Sequence, residues 1–256
     1  MTGVRHTEQV MGTVVGLDVR DLPEDRARAA VTEAVAWLHH VDETFSTYRP
    51  GSEVSRLDRG ELAVQDASAE VREVLELCEE ANRRTGGYFD VRATGRLDPS
   101  GFVKGWSIER AASLLTAAGS RRFCLNGGGD VRCTGEPEAG RGWGVAVADP
   151  FDRMGYLTVV RGTDLAVATS GSAERGDHVL DPFTGGPPSG LVAVTVVGPE
   201  LTWTDVHATA AFARGTAALD YVESLDGFEG LAVAPDGTVT RTTGFARYET
   251  APGTPR

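Results

Sequence analysis

The sequence predicts an α+β fold of mainly antiparallel sheets with flanking helices, in a single unit that spans residues 1–256. Short β-rich segments separated by glycine-rich turns fill the region from 121 to 200. Amphipathic helical patterns stand on either side of that region and do not alternate regularly with strands, as a parallel sheet would require. The length of 256 residues is compatible with one domain.

The N-terminal half contains one predicted strand and three predicted helices. Residues 10–20 are β-rich and partly alternating, which is typical of a strand. Apolar residues at helical spacing predict helices over 24–42, after the capping Ser68, and over 105–118. The polar segment 43–60, with its Pro-Gly turn, is predicted to be a structured loop.

The C-terminal half contains most of the predicted strands. They are expected at 121–126, 131–135, 143–150, 156–162, 165–171 and 191–199. A helix is expected over 204–224, and a hairpin around 235–237 closes the ordered chain. The last residues, 250–256, are expected to form a loose tail.

Composition limits the partners and the location of the protein. The formal net charge of −12 makes a nucleic-acid partner unfavourable, because an acidic surface repels phosphate backbones. No segment approaches the roughly 18 apolar residues of a membrane span, and the N-terminus lacks a signal-peptide core, so a cytoplasmic location is expected. Cys78, Cys124 and Cys133 lack zinc-site spacing and are predicted to be buried thiols.

Two segments suggest a phosphate-binding function. Lys104 lies at the start of a predicted helix, where its charge opposes the helix dipole unless an anion binds there. The alternative is a solvated surface lysine. The consecutive glycines 127–129 suit a backbone nest for phosphate, although a tight turn between strands explains them equally well.

Two other segments suggest proton transfer and metal binding. His178 lies among small and polar residues in the segment 168–186, and histidine is the usual proton carrier near neutral pH. Asp205 and Thr209 are four residues apart on a predicted helix, and a carboxylate with a hydroxyl suits Mg²⁺. The alternatives are a hydrogen-bonded structural histidine and an ordinary helix start capped by Thr204 or Asp205.

Taken together and in order, these segments resemble the ApbE family of FAD:protein FMN transferases. The resemblance runs from M-G-T at 11–13 to D-V-H-A-T-A at 205–210. Between these stand F-S-T-Y-R-P-G-S-E-V-S-R-L, G-G-Y-F-D-V, D-P-S-G-F-V-K-G-W, N-G-G-G-D and A-T-S-G-S-A-E-R-G-D-H-V-L-D-P-F-T-G. Each piece is weak alone, whereas their joint order and spacing are specific.

The resemblance implies an ApbE-like, T-fold-like unit that transfers the FMN half of FAD to a Thr or Ser hydroxyl of an acceptor protein, with Mg²⁺ and with release of AMP. It assigns His178 to the transfer step, and Gly101 (through its carbonyl), Asp205 and Thr209 to the metal. The residues that it places around FAD are Met11, Tyr48, Phe89, Asp90, Val91, Asp98, Lys104 and Val179.

One departure from the family pattern concerns the affinity for FAD. Asp58 stands where the family often has Asn, and a carboxylate close to a pyrophosphate would repel it. Three alternative functions remain open at this point. They are an FAD pyrophosphatase that yields FMN and AMP, a non-catalytic FAD-binding protein, and a structural protein without flavin.

Overall fold

The computed structural model describes residues 3–172 and 179–249, and the statements below concern these residues. An eight-stranded antiparallel sheet has the strand order β1-β2-β3-β4-β7-β8-β9-β10, and β5 and β6 form a separate hairpin. The strands are β1 (Val4–Val10), β2 (Thr13–Val19), β3 (Phe123–Gly127), β4 (Asp130–Thr134), β5 (Trp143–Asp149), β6 (Asp152–Gly162), β7 (Leu165–Gly171), β8 (Ala193–Gly198), β9 (Glu229–Val233) and β10 (Val239–Arg241).

Six α-helices flank the sheet. They are α1 (Glu24–Phe45), α2 (Glu53–Asp58), α3 (Ala69–Arg84), α4 (Ser100–Ala117), α5 (Leu201–Ala213) and α6 (Ala218–Glu223). The prediction of a mainly antiparallel α+β fold is confirmed. No helix in the described part of the chain is both long enough and apolar enough to cross a bilayer.

The two faces of the sheet pack against different layers. On one face, Leu17 and Leu125 belong to a hydrophobic cluster with Leu38 of α1 and Ile108 of α4. On the other face, residues of β4, β7 and β8 form a cluster with the β5–β6 hairpin, including Trp143. Because both faces of the sheet are covered here, the central strand β8 is buried along its whole length and is mostly apolar.

The strand predicted at 10–20 is β2, at Thr13–Val19, but the prediction missed β1, with which β2 forms a hairpin. β1 and β2 pair in register from Val4↔Val19 to Val10↔Thr13. The exposed face of β1 is polar, and this obscured the strand signal before residue 10. The two turn residues, Met11 and Gly12, have φ angles of 54° and 69°, which is the requirement of a type I′ hairpin turn.

Two helix boundaries differ from the prediction. The segment 43–60 was predicted to be a loop but contains α2, because the Ser52 side chain accepts a hydrogen bond from the Ser55 N–H and so caps a short helix. The helix predicted at 105–118 begins at Ser100. Pro99 and Gly101 suggested a break, but proline is compatible with a helix N-terminus.

The predicted helix over 204–224 is two helices. α5 ends at Ala213, and Gly215, with a φ of 57°, separates it from α6. The predicted hairpin around 235–237 is confirmed by the pairing of β9 with β10. The predicted tail at 250–256 lies outside the described residues.

Candidate functional site

Turns and strand ends from several parts of the chain meet at one end of the sheet. The Met11–Gly12 turn joins β1 to β2, and the Gly128–Gly129 turn joins β3 to β4. β7 reaches the same end, because the Thr169 N–H donates to Asp130 Oδ1 at 3.2 Å. Helices α4 and α5 contact this end through Ser107 and Thr209, and we call it the site end of the sheet.

Lys104 of α4 forms an ion pair with Asp130, the first residue of β4. The Asp130 side chain is 1% exposed and that of Lys104 is 23% exposed. Because α4 begins at Ser100, Lys104 lies in its second turn and not at the helix start as predicted. The carboxylate of Asp130 faces its ammonium group. The solvated surface lysine considered as an alternative does not describe this residue.

Asp205 of α5 lies against the first turns of α4. Its Oδ2 accepts a hydrogen bond from the Gly105 N–H at 3.1 Å, and the residue is 2% exposed. In a regular α-helix the same N–H donates to the carbonyl of Gly101. The Asp205 carboxylate and the Gly101 carbonyl are therefore both directed at the region of the Gly105 amide.

The alternative reading of Asp205 as a helix cap is wrong. Glu200 caps α5, since its side chain accepts from the Thr202 and Trp203 N–H groups. Asp205 is the fifth residue of the helix. Asp205 is therefore a carboxylate buried inside a helix, and an oxygen donor in this position makes it a candidate functional residue.

Thr209 lies one turn beyond Asp205 and contacts β7. Its Oγ1 is 3.2 Å from the Ser170 Oγ, and the residue is half-buried. β7 ends one residue later, at Gly171. The hydroxyl of Thr209 therefore lies at the site end of the sheet, on the same helix as the carboxylate of Asp205.

The oxygens at the α4–α5 junction fit Mg²⁺. One carboxylate, a threonine hydroxyl and a backbone carbonyl are hard oxygen donors, and Mg²⁺ is usually held by one or two carboxylates together with waters and substrate phosphates. In the described ranges, 3–172 and 179–249, no three His, Cys, Asp or Glu side chains form a cluster that could hold a metal. A softer metal that requires nitrogen or sulfur ligands does not fit these donors.

Two of the predicted FAD residues contact α4 directly. A Cβ at Gly101 would lie 3.7 Å from the ring of Phe89, so Phe89 packs on the first turn of α4. Met11 is a non-glycine residue at positive φ, which is a strained backbone conformation. Its Sδ accepts a hydrogen bond from the Ser107 Oγ at 3.6 Å, so the strained turn is joined to α4.

The loop between α3 and α4 carries three more of the predicted FAD residues. The Asp98 N–H donates to the Val91 carbonyl at 2.8 Å, which closes the loop. The Asp98 Oδ1 accepts from the Ser100 N–H at the start of α4. Asp90 is exposed and its Oδ1 accepts from the Arg92 N–H, so its carboxylate shapes the loop.

The remaining predicted residues are less constrained. Tyr48 lies in the loop between α1 and α2, and it is 95% exposed to solvent. Val179 is half-buried and packs against the core beneath the sheet. His178 lies outside the described residues.

His207, on the same helix as Asp205, makes structural contacts. Its Nδ1 lies 2.7 Å from the Tyr221 hydroxyl, and its ring packs on Phe228. Burial, with a smaller contribution from the nearby Arg84, lowers the pKa of His207 to about 4. The ring is therefore neutral at pH 7, and it faces α6 and not α4.

Asp58 is already engaged by the protein. Its Oδ1 accepts from the Leu97 N–H at 2.7 Å, and its Oδ2 lies 3.0 Å from the Arg96 Nε. These contacts, that of the Leu97 amide first, lower the pKa of the Asp58 carboxyl. The Asp58 carboxylate, which was expected to repel the pyrophosphate of FAD, therefore holds the loop before α4. Its charge is partly balanced by Arg96.

The sequence model of the ApbE family matches residues 11–95 and 91–232, which is most of the chain. The chain belongs to the ApbE family. It is 32% identical over 170 residues to the FAD:protein FMN transferase of Rhodobacter capsulatus. The aligned segment covers 62% of this chain and 32% of that protein. It is 30% identical over 129 residues to the enzyme of the same name from Vibrio cholerae, with coverage of 46% and 39%.

Solved ApbE structures share the fold. The flavin transferase ApbE from Vibrio cholerae superposes with a TM-score of 0.84 at 22% identity, covering 96% of this chain and 99% of that one. The ApbE protein of Thermotoga maritima superposes with a TM-score of 0.86 at 21% identity, covering 98% and 100%. The chain spans less than half of the length of the curated relatives that it matches.

Two site residues of this ApbE chain were missed by the sequence analysis. Asp130 pairs with Lys104, and Ser170 contacts Thr209. Both lie inside motifs that the resemblance used, N-G-G-G-D and A-T-S-G-S, but neither received a role. An acid directly after three glycines was the available signal for Asp130, whereas Ser170 had none beyond its small size.

Proposed function

We propose that this chain transfers the FMN half of FAD to a Thr or Ser hydroxyl of an acceptor protein and releases AMP. Membership of the ApbE family and the names of the relatives support the reaction type. The observation that carries the proposal for this chain is the junction of α4 and α5, where the buried Asp205 carboxylate meets the Gly105 amide. Lys104, which pairs with Asp130, directly precedes Gly105 in α4, and this supports a shared site.

The charge at the junction supports a cation as part of the reaction. Among the described residues, Asp130 and Asp205 bring two buried carboxylates to this region, and Lys104 forms an ion pair with Asp130. The pyrophosphate of FAD would bring further negative charge into the same region, and such repulsion is strong away from water. Mg²⁺ held by Asp205, Thr209 and the Gly101 carbonyl would neutralise this charge and polarise the phosphoryl oxygens.

The protein groups then position the substrate. Lys104, held by Asp130, directs its ammonium group toward the site end of the sheet and offsets charge on the pyrophosphate. Met11, which is half-buried and joined to α4, would supply an apolar contact for a planar ring, and the buried Phe89 supports the first turn of α4. The Asp98–Val91 hydrogen bond holds the loop that leads into α4.

The transfer itself forms one bond and breaks one bond. The acceptor hydroxyl oxygen bonds to the phosphorus of the FMN half, and the bond from that phosphorus to the bridging oxygen breaks, so that AMP leaves. The hydroxyl proton must pass to a base, and His178 remains the proposed base on the strength of the family resemblance. General-base catalysis of this kind contributes about 10²–10⁴-fold.

The proposal is tested by incubating the chain with FAD, Mg²⁺ and an acceptor protein that the Vibrio cholerae FAD:protein FMN transferase modifies. The intact mass of the acceptor should rise by one phosphoester-linked FMN, with an equal amount of AMP released. AMP and free FMN without a mass change would identify a pyrophosphatase. Unchanged FAD would identify a binding protein, and either outcome contradicts the proposal.

His178→Ala tests the proposed base separately. We expect transfer to fall by at least about 100-fold while FAD binding is retained, because the base acts on the acceptor proton. His207→Gln is the matched control, since His207 contacts Tyr221 on the far side of α5 and should be dispensable for the chemistry. Wild-type transfer by His178→Ala would remove this residue from the mechanism.

We also propose the cytoplasmic location that the composition suggested.

A further inference from the structure

Two thiols face each other in the middle of the sheet. Cys124 of β3 and Cys133 of β4 are cross-strand partners in the antiparallel register. Their Sγ atoms are 3.1 Å apart. Both cysteines are free, and the third cysteine, Cys78, is buried in a separate cluster under α3.

The backbone at this pair suits a disulfide. Directly opposite residues of antiparallel strands have Cα atoms about 4.5–5.5 Å apart. This lies within the range of about 4.4–6.8 Å found across disulfides. The two sulfur atoms must approach by about 1 Å to reach a bond length of about 2.05 Å. Rotation of the two side chains supplies this movement while the strand pairing is kept.

The two thiols differ in their surroundings. Cys133 is fully buried and donates its S–H to the Cys124 sulfur. The contact with Cys124 and burial both raise the pKa of Cys133. Cys124 is only partly buried, and it lies opposite Asp18 on β2, which is ion-paired with Arg20. A small oxidant from solvent therefore reaches Cys124 before Cys133.

We propose that Cys124 and Cys133 form a peroxide-oxidisable dithiol in which Cys124 is the reacting thiol and Cys133 the resolving thiol. The Cys124 thiolate attacks hydrogen peroxide, so that an S–O bond forms, the O–O bond breaks and hydroxide leaves. The Cys133 sulfur then attacks the Cys124 sulfur. An S–S bond forms, the S–O bond breaks, and the hydroxyl leaves as water with the Cys133 proton. One peroxide is reduced to two waters as two thiols become one disulfide.

The consequence of this pairing is protection of Cys124. A sulfenic acid without a nearby thiol is oxidised further to sulfinic acid, which thiol reductants do not reverse. With Cys133 in contact, the sulfenic acid is converted to a disulfide that a dithiol reduces. The site lies three residue pairs along the β3–β4 ladder from Asp130, so it is distinct from the proposed transfer site and independent of that function.

Mass spectrometry of the folded, reduced chain tests the proposal. After brief exposure to hydrogen peroxide and alkylation in denaturant, we expect alkylatable thiols to fall from three to one. Peptide mapping should then show a Cys124–Cys133 disulfide with Cys78 alkylated. Reduction with dithiothreitol after the exposure should restore all three thiols. The Cys78→Ser variant serves as the matched control and should form the same disulfide.

The Cys133→Ser variant tests the assignment of roles. We expect Cys124 in this variant to react with a sulfenic-acid probe and, after longer exposure, to retain sulfinic acid that dithiothreitol does not remove. The wild-type mapping stands on its own should this variant fail to fold. Three alkylatable thiols after oxidation, a disulfide to Cys78 or a disulfide between two chains would each overturn the proposal.

Discussion

At the scale of single residues, Asp205 is the side chain on which the proposed Mg²⁺ site most depends. Its carboxylate is buried at the junction of two helices and accepts a hydrogen bond from the Gly105 N–H of α4. An amide of the same shape can still accept that hydrogen bond but carries no charge. The charge of Asp205 can therefore be removed without removing its packing.

Asp205→Asn should lower FMN transfer by at least about 100-fold, because removing one group that stabilises charge in a transition state costs about that much. The midpoint of thermal unfolding should change little. Asp220→Asn is the matched control, since Asp220 lies exposed in the first turn of α6. Transfer by Asp205→Asn at the rate of Asp220→Asn would exclude the carboxylate from the reaction.

Asp58 raises a second question at this scale, because its charge appeared unfavourable for binding FAD. The structure shows the carboxylate bonded to the Leu97 N–H and the Arg96 side chain. Asp58→Asn should therefore leave the affinity for FAD unchanged, since an amide oxygen can still accept from Leu97. Asp58→Ala loses this acceptor and should lower both the unfolding midpoint and the affinity. Tighter FAD binding by both variants would indicate that repulsion dominates.

At the scale of elements, the contact between α4 and α5 depends on two glycines with opposite requirements. A Cβ at Gly105 would lie 2.9 Å from the Asp205 Cβ and from the Leu201 carbonyl oxygen. A Cβ at Gly101 would only make ordinary contact with Phe89 at 3.7 Å. Gly105 is therefore required by helix packing, whereas Gly101 is not.

Gly105→Ala should destabilise the protein by about 1–2 kcal/mol, because overpacking exceeds the gain in helix propensity. It should also lower transfer, since the helix would displace Asp205. Gly101→Ala should raise the free energy of unfolding by up to about 1 kcal/mol and leave transfer unchanged, because the backbone carbonyl is kept. Denaturant unfolding measures both effects. Equal effects of the two substitutions would contradict the packing described here.

The elements also show what the sequence could and could not predict. Helical periodicity identified the core of α4, but Pro99 and Gly101 hid its first turn. The polar outer face of β1 hid an edge strand. In both cases the local residues do not favour the element, and contacts with distant parts of the chain stabilise it. The Ser107–Met11 hydrogen bond, which joins α4 to the turn after β1, is one such contact.

Some of the site residues could be predicted from the sequence, and others could be found only from the structure. The order of motifs identified Lys104, Asp205 and Thr209, because their residue types are set by the chemistry. Their partners Asp130 and Ser170 depend on which strand ends meet at α4 and α5. Ser170 and Thr209 are 39 residues apart in the chain, and only the strand order and register bring them together.

At the scale of the whole molecule, the negative net charge of the chain makes a bound cation important for binding FAD. The net charge is −12, and the described residues at the site end of the sheet include the buried carboxylates of Asp130 and Asp205. A dianionic pyrophosphate should bind there only when a divalent cation binds with it. Binding of FAD and binding of Mg²⁺ should therefore be thermodynamically coupled.

The most direct test is a titration of the chain with FAD in Mg²⁺ and again in a chelator, for the wild type and for Asp205→Asn. The wild type should bind FAD at least about tenfold more tightly with Mg²⁺, within the usual range of coupling between two ligands. The variant should bind equally in both conditions. Equal wild-type affinity with and without Mg²⁺, or an unchanged Mg²⁺ response in Asp205→Asn, would contradict a cation held at the α4–α5 junction.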